Sequence, residues 1–218
     1  MKRATLYKIS FVFFLFPLMI FASNGKKGKY TKEKTIRKEF NVEKNATLKI
    51  DNSYGNLDII TWSEDRIEFE IRIQTSGNDE DKVQEKLDEI NVDFDSASDY
   101  VSAVTKFSKS KSSSWWKWGS NNSVNMKINY IVKLPITNNV NLNNDYGTIN
   151  LVKLEGKATL HCDYGKITAK ELLADNNDIS FDYSNNCYFE YIKSGKINAD
   201  YSDYTVSKTN NLDIVETV

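Results

Sequence analysis

Over most of its length the chain alternates apolar and polar residues in short runs, the period-two pattern of strands with one face buried. The clearest runs lie in the second half. Ile149 and Leu151, Ile167 and Ala169, Tyr204 and Val206, and less regularly Cys187 and Phe189 form one set. Ala158, Leu160 and Cys162, then Ile179 and Phe181, Ile197 and Ala199, and Leu212 and Ile214 form a second. Between the sets stand the tripeptides Asp-Tyr-Gly at 145 and 163 and Asp-Tyr-Ser at 182 and 200, at intervals of 18, 19 and 18 residues. A unit of this size carrying two short strands cannot bury its apolar side alone and must stack on its neighbours. The pattern therefore predicts an all-β solenoid of ~18-residue coils paired in parallel, each advancing ~4.8 Å. Ile149, Ile167 and Ile179 are expected inside, Lys153, Lys166 and Lys196 outside, and the marker tyrosines at a corner, stacked on one another.

The same unit occurs once earlier. Phe40, Val42, Leu48, Ile50, Tyr54, Gly55, Leu57 and Ile59 stand 92 positions before Val132, Leu134, Val140, Leu142, Tyr146, Gly147, Ile149 and Leu151. Residues 39–60 are thus expected as the first solenoid strands and 132–218 as the repeats. Residues 61–131 break the period. Ile67, Phe69, Ile71 and Ile73 read as a strand; a helix is expected over about 79–90, capped by Asn78, with Val83, Leu87 and Ile90 on one face. More strands follow, and the insert reads as a β-rich cap with one helix over an otherwise open solenoid end. At the start, Lys2, Arg3 and Lys8 precede the thirteen-residue apolar run 9–21, followed by Ala22 and Ser23, which marks 1–22 as a signal peptide and the chain as exported. Residues 23–38, with Lys26, Lys27, Lys29, Lys32, Lys34, Arg37 and Lys38, are expected as a basic N-terminal tail.

Composition narrows the chemistry. The chain has 218 residues, 40% of them hydrophobic, and a net charge of -1, which gives no electrostatic case for nucleic acid. One His and two Cys remove most metal-site and His-dependent catalytic arrangements, and neither a metal nor a cofactor is expected. His161, between inward Leu160 and Cys162, should face solvent. Cys162 and Cys187 fall on consecutive coils, as buried thiols or as a disulfide. The turns are rich in Asn and Asp, at 143–145, 176–178, 185–186 and 210–211, a composition explained by left-handed backbone and local hydrogen bonds rather than by calcium.

One segment has no such explanation. Trp115, Trp116, Lys117 and Trp118 are flanked by Ser, Gly and Asn, and adjacent tryptophans in an extended segment cannot both face one core. These four are the candidate ligand-binding residues, for a sugar, an interface or a protein partner. At the other end, 216–218 reach the corner position, so the last coil is expected to self-associate through its open edge or to continue in a longer chain.

Asn52, Ser53, Tyr54, Gly55, Asn56 and Leu57, followed by Trp62, the strand end Val132, Lys133, Leu134 and Pro135, the Asp-Tyr-Gly repeats and the signal sequence together resemble the "putative adhesin" family of exported bacterial proteins. The resemblance spans nearly all of the mature chain. It implies a right-handed parallel β-helix located in the periplasm, at the outer membrane surface or outside the cell, and it brings no catalytic residues. Two functional classes follow: a non-catalytic surface module binding glycan, protein or itself, and, alternatively, a polysaccharide-acting enzyme with a carboxylate pair on a solenoid face.

Overall fold

The computed structural model describes residues 28–108 and 123–217. It is all-β with one short helix. The strands are β1 (Tyr30–Asn41), β2 (Thr47–Ser53), β3 (Leu57–Trp62), β4 (Arg66–Gly77), β5 (Ile90–Ala97), β6 (Tyr100–Phe107), β7 (Asn125–Pro135), β8 (Asn139–Asp145), β9 (Thr148–Leu154), β10 (Ala158–His161), β11 (Lys166–Leu172), β12 (Asn177–Asp182), β13 (Cys187–Asp200) and β14 (Tyr204–Thr217), with α1 (Glu80–Glu89) between β4 and β5. All fourteen strands belong to one hydrogen-bonded sheet. It bends round until β1 and β5, the two ends of its strand order, approach through Phe40 and Phe94 with ring centroids 5.8 Å apart, so the whole is a nearly closed barrel.

The repeat sets the pairing. Leu142, Leu160, Ile179 and Ile197 are partners in successive parallel pairs, as are Leu151, Ala169, Phe189 and Val206. Each of the first three steps along the Leu142 row spans 18 or 19 residues, the interval of the sequence markers. Ile149, Ile167 and Ile179 are fully buried, because every second side chain turns inward and meets its equivalents above and below. The outward lysines are half-buried or exposed; Lys153 pairs with Glu171 of the next coil at 3.1 Å.

The insert does not interrupt this stack. β6 lies parallel to β2, with Val101 and Ala103 opposite Leu48 and Ile50, and β7 lies parallel to β3, with Tyr130 and Val132 opposite Leu57 and Ile59. The period is lost in the sequence because the connection is long, but the apolar alternation still fits the same inner face. Capping is done one strand further out. β4 and β5 add antiparallel to β7 and β6, and β1 adds antiparallel to β4 over twelve pairs.

The expected basic tail is therefore corrected from residue 30 onward, where it is strand β1. Alternate residues Lys32, Lys34, Ile36, Lys38 and Phe40 are half-buried. The lysines take this position because acidic α1 packs on β1 and β4: Lys32 pairs with Glu80 at 2.7 Å, and Lys34, whose ammonium burial pushes below its ordinary pKa, is opposed by the charge of Asp88. The helix is capped by Asp79, not Asn78. The Asp79 carboxylate accepts from the Lys82 backbone N–H at 3.2 Å, while Asn78 Oδ1 accepts from Lys29 N–H. Val83, Leu87 and Ile90 are buried as the pattern requires. Among the described residues no helix is long and apolar enough to cross a membrane.

Candidate functional site: a tyrosine ladder beside carboxylates

Each marker tripeptide forms the corner between a β8-type strand and a β9-type strand. The backbone N–H groups of Tyr54, Tyr146, Tyr164 and Tyr183 each donate to the carbonyl of the aspartate one coil further on, Asp145, Asp163, Asp182 and Asp200, at 2.9–3.0 Å. This geometry forces the tyrosines into left-handed backbone. Tyr54, Tyr146, Tyr164, Tyr183 and Tyr201 have φ between 48° and 65°. Such a conformation costs a residue with a Cβ roughly 1–2 kcal/mol, and Asn or Gly would carry it more cheaply.

The five rings stack in one row. Centroids are 5.1–5.3 Å apart and planes differ by 3–9°, an offset arrangement worth about 1 kcal/mol per pair. Phe107 closes the row at the insert end by packing edge-on against Tyr54. Four stacked pairs fall short of the cost of five strained residues, so stability alone does not explain tyrosine at this corner. The rings are also exposed, from 40% at Tyr54 to 56% at Tyr201. Their faces are occupied by one another, so an approaching molecule meets ring edges and phenol hydroxyls. Of the five, Tyr201 ends the row with a single ring neighbour, Tyr183.

Beside each tyrosine of the repeats is its aspartate. Asp163 Oδ1 accepts from the Asp182 backbone N–H at 3.1 Å, and its Oδ2 lies 3.3 Å from Nε2 of His161. His161 projects outward as its position between Leu160 and Cys162 demands, and its Nδ1 is 2.7 Å from Ser180 Oγ, the residue paired with it in β12. Asp145 lies one coil back. Burial first, then the Asp163 carboxylate, push its pKa above the ordinary value, with His161 and the Asp163 N–H acting against that shift.

The Asn-rich turns are structural where they are buried. Asn177 Nδ2 donates to the carbonyls of Ala174 and Ser194 while its Oδ1 accepts from Ala158 N–H, and Asn176 and Asn186 have φ of 59° and 58°. Asn52 and Asn144 bond to each other at 2.9 Å inside the stack. Cys162 and Cys187 are buried free thiols; burial pushes Cys162 up to about 12, and Cys187 accepts from Ile167 N–H at 3.3 Å. Trp115, Trp116, Lys117 and Trp118, like the signal peptide 1–22, lie outside the described residues. The described chain before the Trp segment ends at Ser108, next to Phe107 and thus beside the insert end of the ladder. The ladder itself was half legible: the repeat predicts the tyrosine row, but no sequence signal gives its exposure or its left-handed backbone.

No protein-family profile and no curated protein matches the chain. Three crystal structures align with it at low identity. A "putative cell adhesion protein" from Clostridium sporogenes is 10% identical, with 86% of this chain and all of that one covered and a TM-score of 0.36. A "putative adhesin" from Bacteroides fragilis is 14% identical over 84% of this chain and 95% of that one, and a "putative adhesin" from Parabacteroides distasonis is 12% identical over 85% and 97%, both with a TM-score of 0.22. A likeness of this degree extends to neither ligand nor activity.

Proposed function

We propose that the protein is an exported, non-catalytic surface module of adhesin type, wound as a right-handed β-helix, whose binding face is the tyrosine ladder. The observation that carries this reading is the exposure of five tyrosines held in a backbone conformation that tyrosine disfavours. A row of hydroxyls and ring edges with an aspartate on each repeat coil suits neutral glycans, which offer hydroxyl groups at a comparable spacing, and repels sulfated or phosphorylated polymers. Trp115, Trp116, Lys117 and Trp118 are a second contact region in this reading. Self-association through β14 would multiply weak contacts into avid binding.

The test compares the parent chain with Tyr146→Asn, Tyr164→Asn and Tyr183→Asn combined, on an array of neutral and sulfated glycans. Asn tolerates left-handed backbone, so the melting temperature should change by only a few degrees while neutral-glycan binding falls at least ~10-fold. Unchanged binding by the triple variant removes the ladder as the site. Preference of the parent for sulfated glycans overturns the charge argument.

The enzyme alternative has one observation in its favour, the closeness of Asp145 and Asp163 together with the raised Asp145 carboxyl. Release of reducing ends from polysaccharide by the parent, lost in Asp163→Asn, would establish it.

A further inference from the structure

Asp145, His161 and Asp163 each offer a ligand atom, and these atoms lie within 4.8 Å of one another. Asp145 and His161 are set by strand register on two adjacent coils, and Asp163 stands in the bend after β10. His161 ends β10, Asp145 ends β8, and Asp163 follows Cys162 at the next corner. Three independent features of their surroundings point to a cation.

The first is the imidazole. Its Nδ1 is held 2.7 Å from Ser180 Oγ, and in the tautomer that donates the Nδ1 proton to this hydroxyl, Nε2 is left with a lone pair on the side of Asp163. The second is the spacing. Two donors each about 2.1 Å from a tetrahedral metal stand about 3.4 Å apart, and His161 Nε2 and Asp163 Oδ2 are 3.3 Å apart. The third is a pair of stranded oxygens. Asp145 Oδ1 and Asn143 Oδ1 are each less than 1 Å² exposed and have no hydrogen-bond partner, and Asn143 is the residue paired with His161 in β8. Buried acceptors ordinarily find a donor. Here one of them belongs to Asp145 itself and the other to Asn143, the strand partner of His161. With 42% of the His161 side chain and 26% of the Asp163 side chain exposed, the group is open to solvent on one side.

We infer that Asp145, His161 and Asp163 form a divalent transition-metal site, with His161 Nε2 and one oxygen of each carboxylate as ligands and Ser180 holding the imidazole. One nitrogen and two carboxylate oxygens suit zinc and its neighbours better than calcium, which takes oxygen ligands only and more of them. The exposed side of the group leaves room for a water ligand on a bound metal. The site does not depend on the ladder being a binding face.

The experiment is a titration of chelator-stripped, full-length protein with zinc chloride, followed by calorimetry and by thermal melting, with cobalt(II) chloride as an optical probe. The expected result is one metal per chain, a rise in melting temperature with metal concentration, and visible cobalt absorption of the strength that four-coordinate sites give. His161→Gln and Asp163→Asn should each weaken zinc binding at least ~10-fold, whereas Asp175→Asn, an acid paired with Lys193 elsewhere on the surface, should not. Circular dichroism of the metal-free variants shows whether they are folded. Absence of binding at ~100 μM zinc, binding that survives His161→Gln in a folded variant, or calcium binding as tight as zinc overturns the assignment. In the first case the 3.3 Å approach of His161 to Asp163 is an ordinary surface contact. Loss of zinc binding with glycan binding intact, or the reverse, separates this site from the ladder.

Discussion

At the scale of single residues, the marker tripeptide shows why a repeat is easier to read than its reason. Gly147 looks like a turn residue, yet its position is fixed by crowding between coils. A Cβ there would stand 1.6 Å from the carbonyl oxygen of Gly55, and one on Gly165 would stand 2.1 Å from that of Gly147. Gly147→Ala should accordingly destabilise the protein by about 3 kcal/mol or more, measured by urea unfolding, because backbone must move apart. Gly77→Ala, whose new Cβ would meet first the end of the Val83 side chain at 3.1 Å, is the milder control. In the last two repeats Ser184 and Ser202 stand in the glycine position. There the hydroxyl takes over a backbone bond: Ser184 Oγ accepts from Gly165 N–H, and Ser202 Oγ from Ser184 N–H. The tyrosine before it was legible as a row but not as a strained one, since a side chain with a Cβ argues against positive φ in any reading of sequence. The Asp145, His161 and Asp163 group was hidden for another reason. A lone histidine carries no motif, and only the coil register brings it to an aspartate 16 positions earlier.

At the scale of elements, period-two alternation identified most strands and their inward faces. Leu160 tests this directly: it is about 1% exposed, and register places it between Leu142 and Ile179. Leu160→Asp or Ile197→Asp puts an unpaired carboxylate into that row and should leave no cooperative melting transition, whereas Leu160→Ala should cost about 2–5 kcal/mol and still fold. A melt of either Asp variant like that of the parent would show the inner row to be misassigned. β1 escaped the sequence reading because its inward positions include Lys32, Lys34 and Lys38, so alternation of hydrophobicity is absent even though alternation of burial is present. The information lay in α1, whose Glu80 pairs with Lys32 and whose Asp88 acts on Lys34. β6 and β7 were read as part of a cap because spacing along the chain was broken. Their pairing with β2 and β3 depends on apolar alternation, which survives a long connection.

At the scale of the whole molecule, the two ends of the stack are held differently. The insert end is locked by antiparallel pairing of β1, β4 and β7, whereas β14 at the other end pairs with β13 along its whole length. In the proposed β-helix each coil is held chiefly by the coil above and the coil below, as in a one-dimensional array. Under the proposed adhesin role the molecule is loaded in tension, and such an array does not then fail all at once. Pulled from its C-terminal end, it should peel, with β14 leaving first and each later coil becoming the new exposed end. Every event frees about 18 residues, or roughly 60 Å of chain at ~3.4 Å per residue. Optical-trap extension of the tethered protein should therefore give a staircase of near-equal rips of about that length, ending at the antiparallel end in a larger one; a single rip spanning the whole chain would show that the coils are not mechanically separate. The sequence interval between successive tyrosines is in this sense a length of rope paid out, which in the proposed role would let a bond under load lengthen by known increments before it is lost.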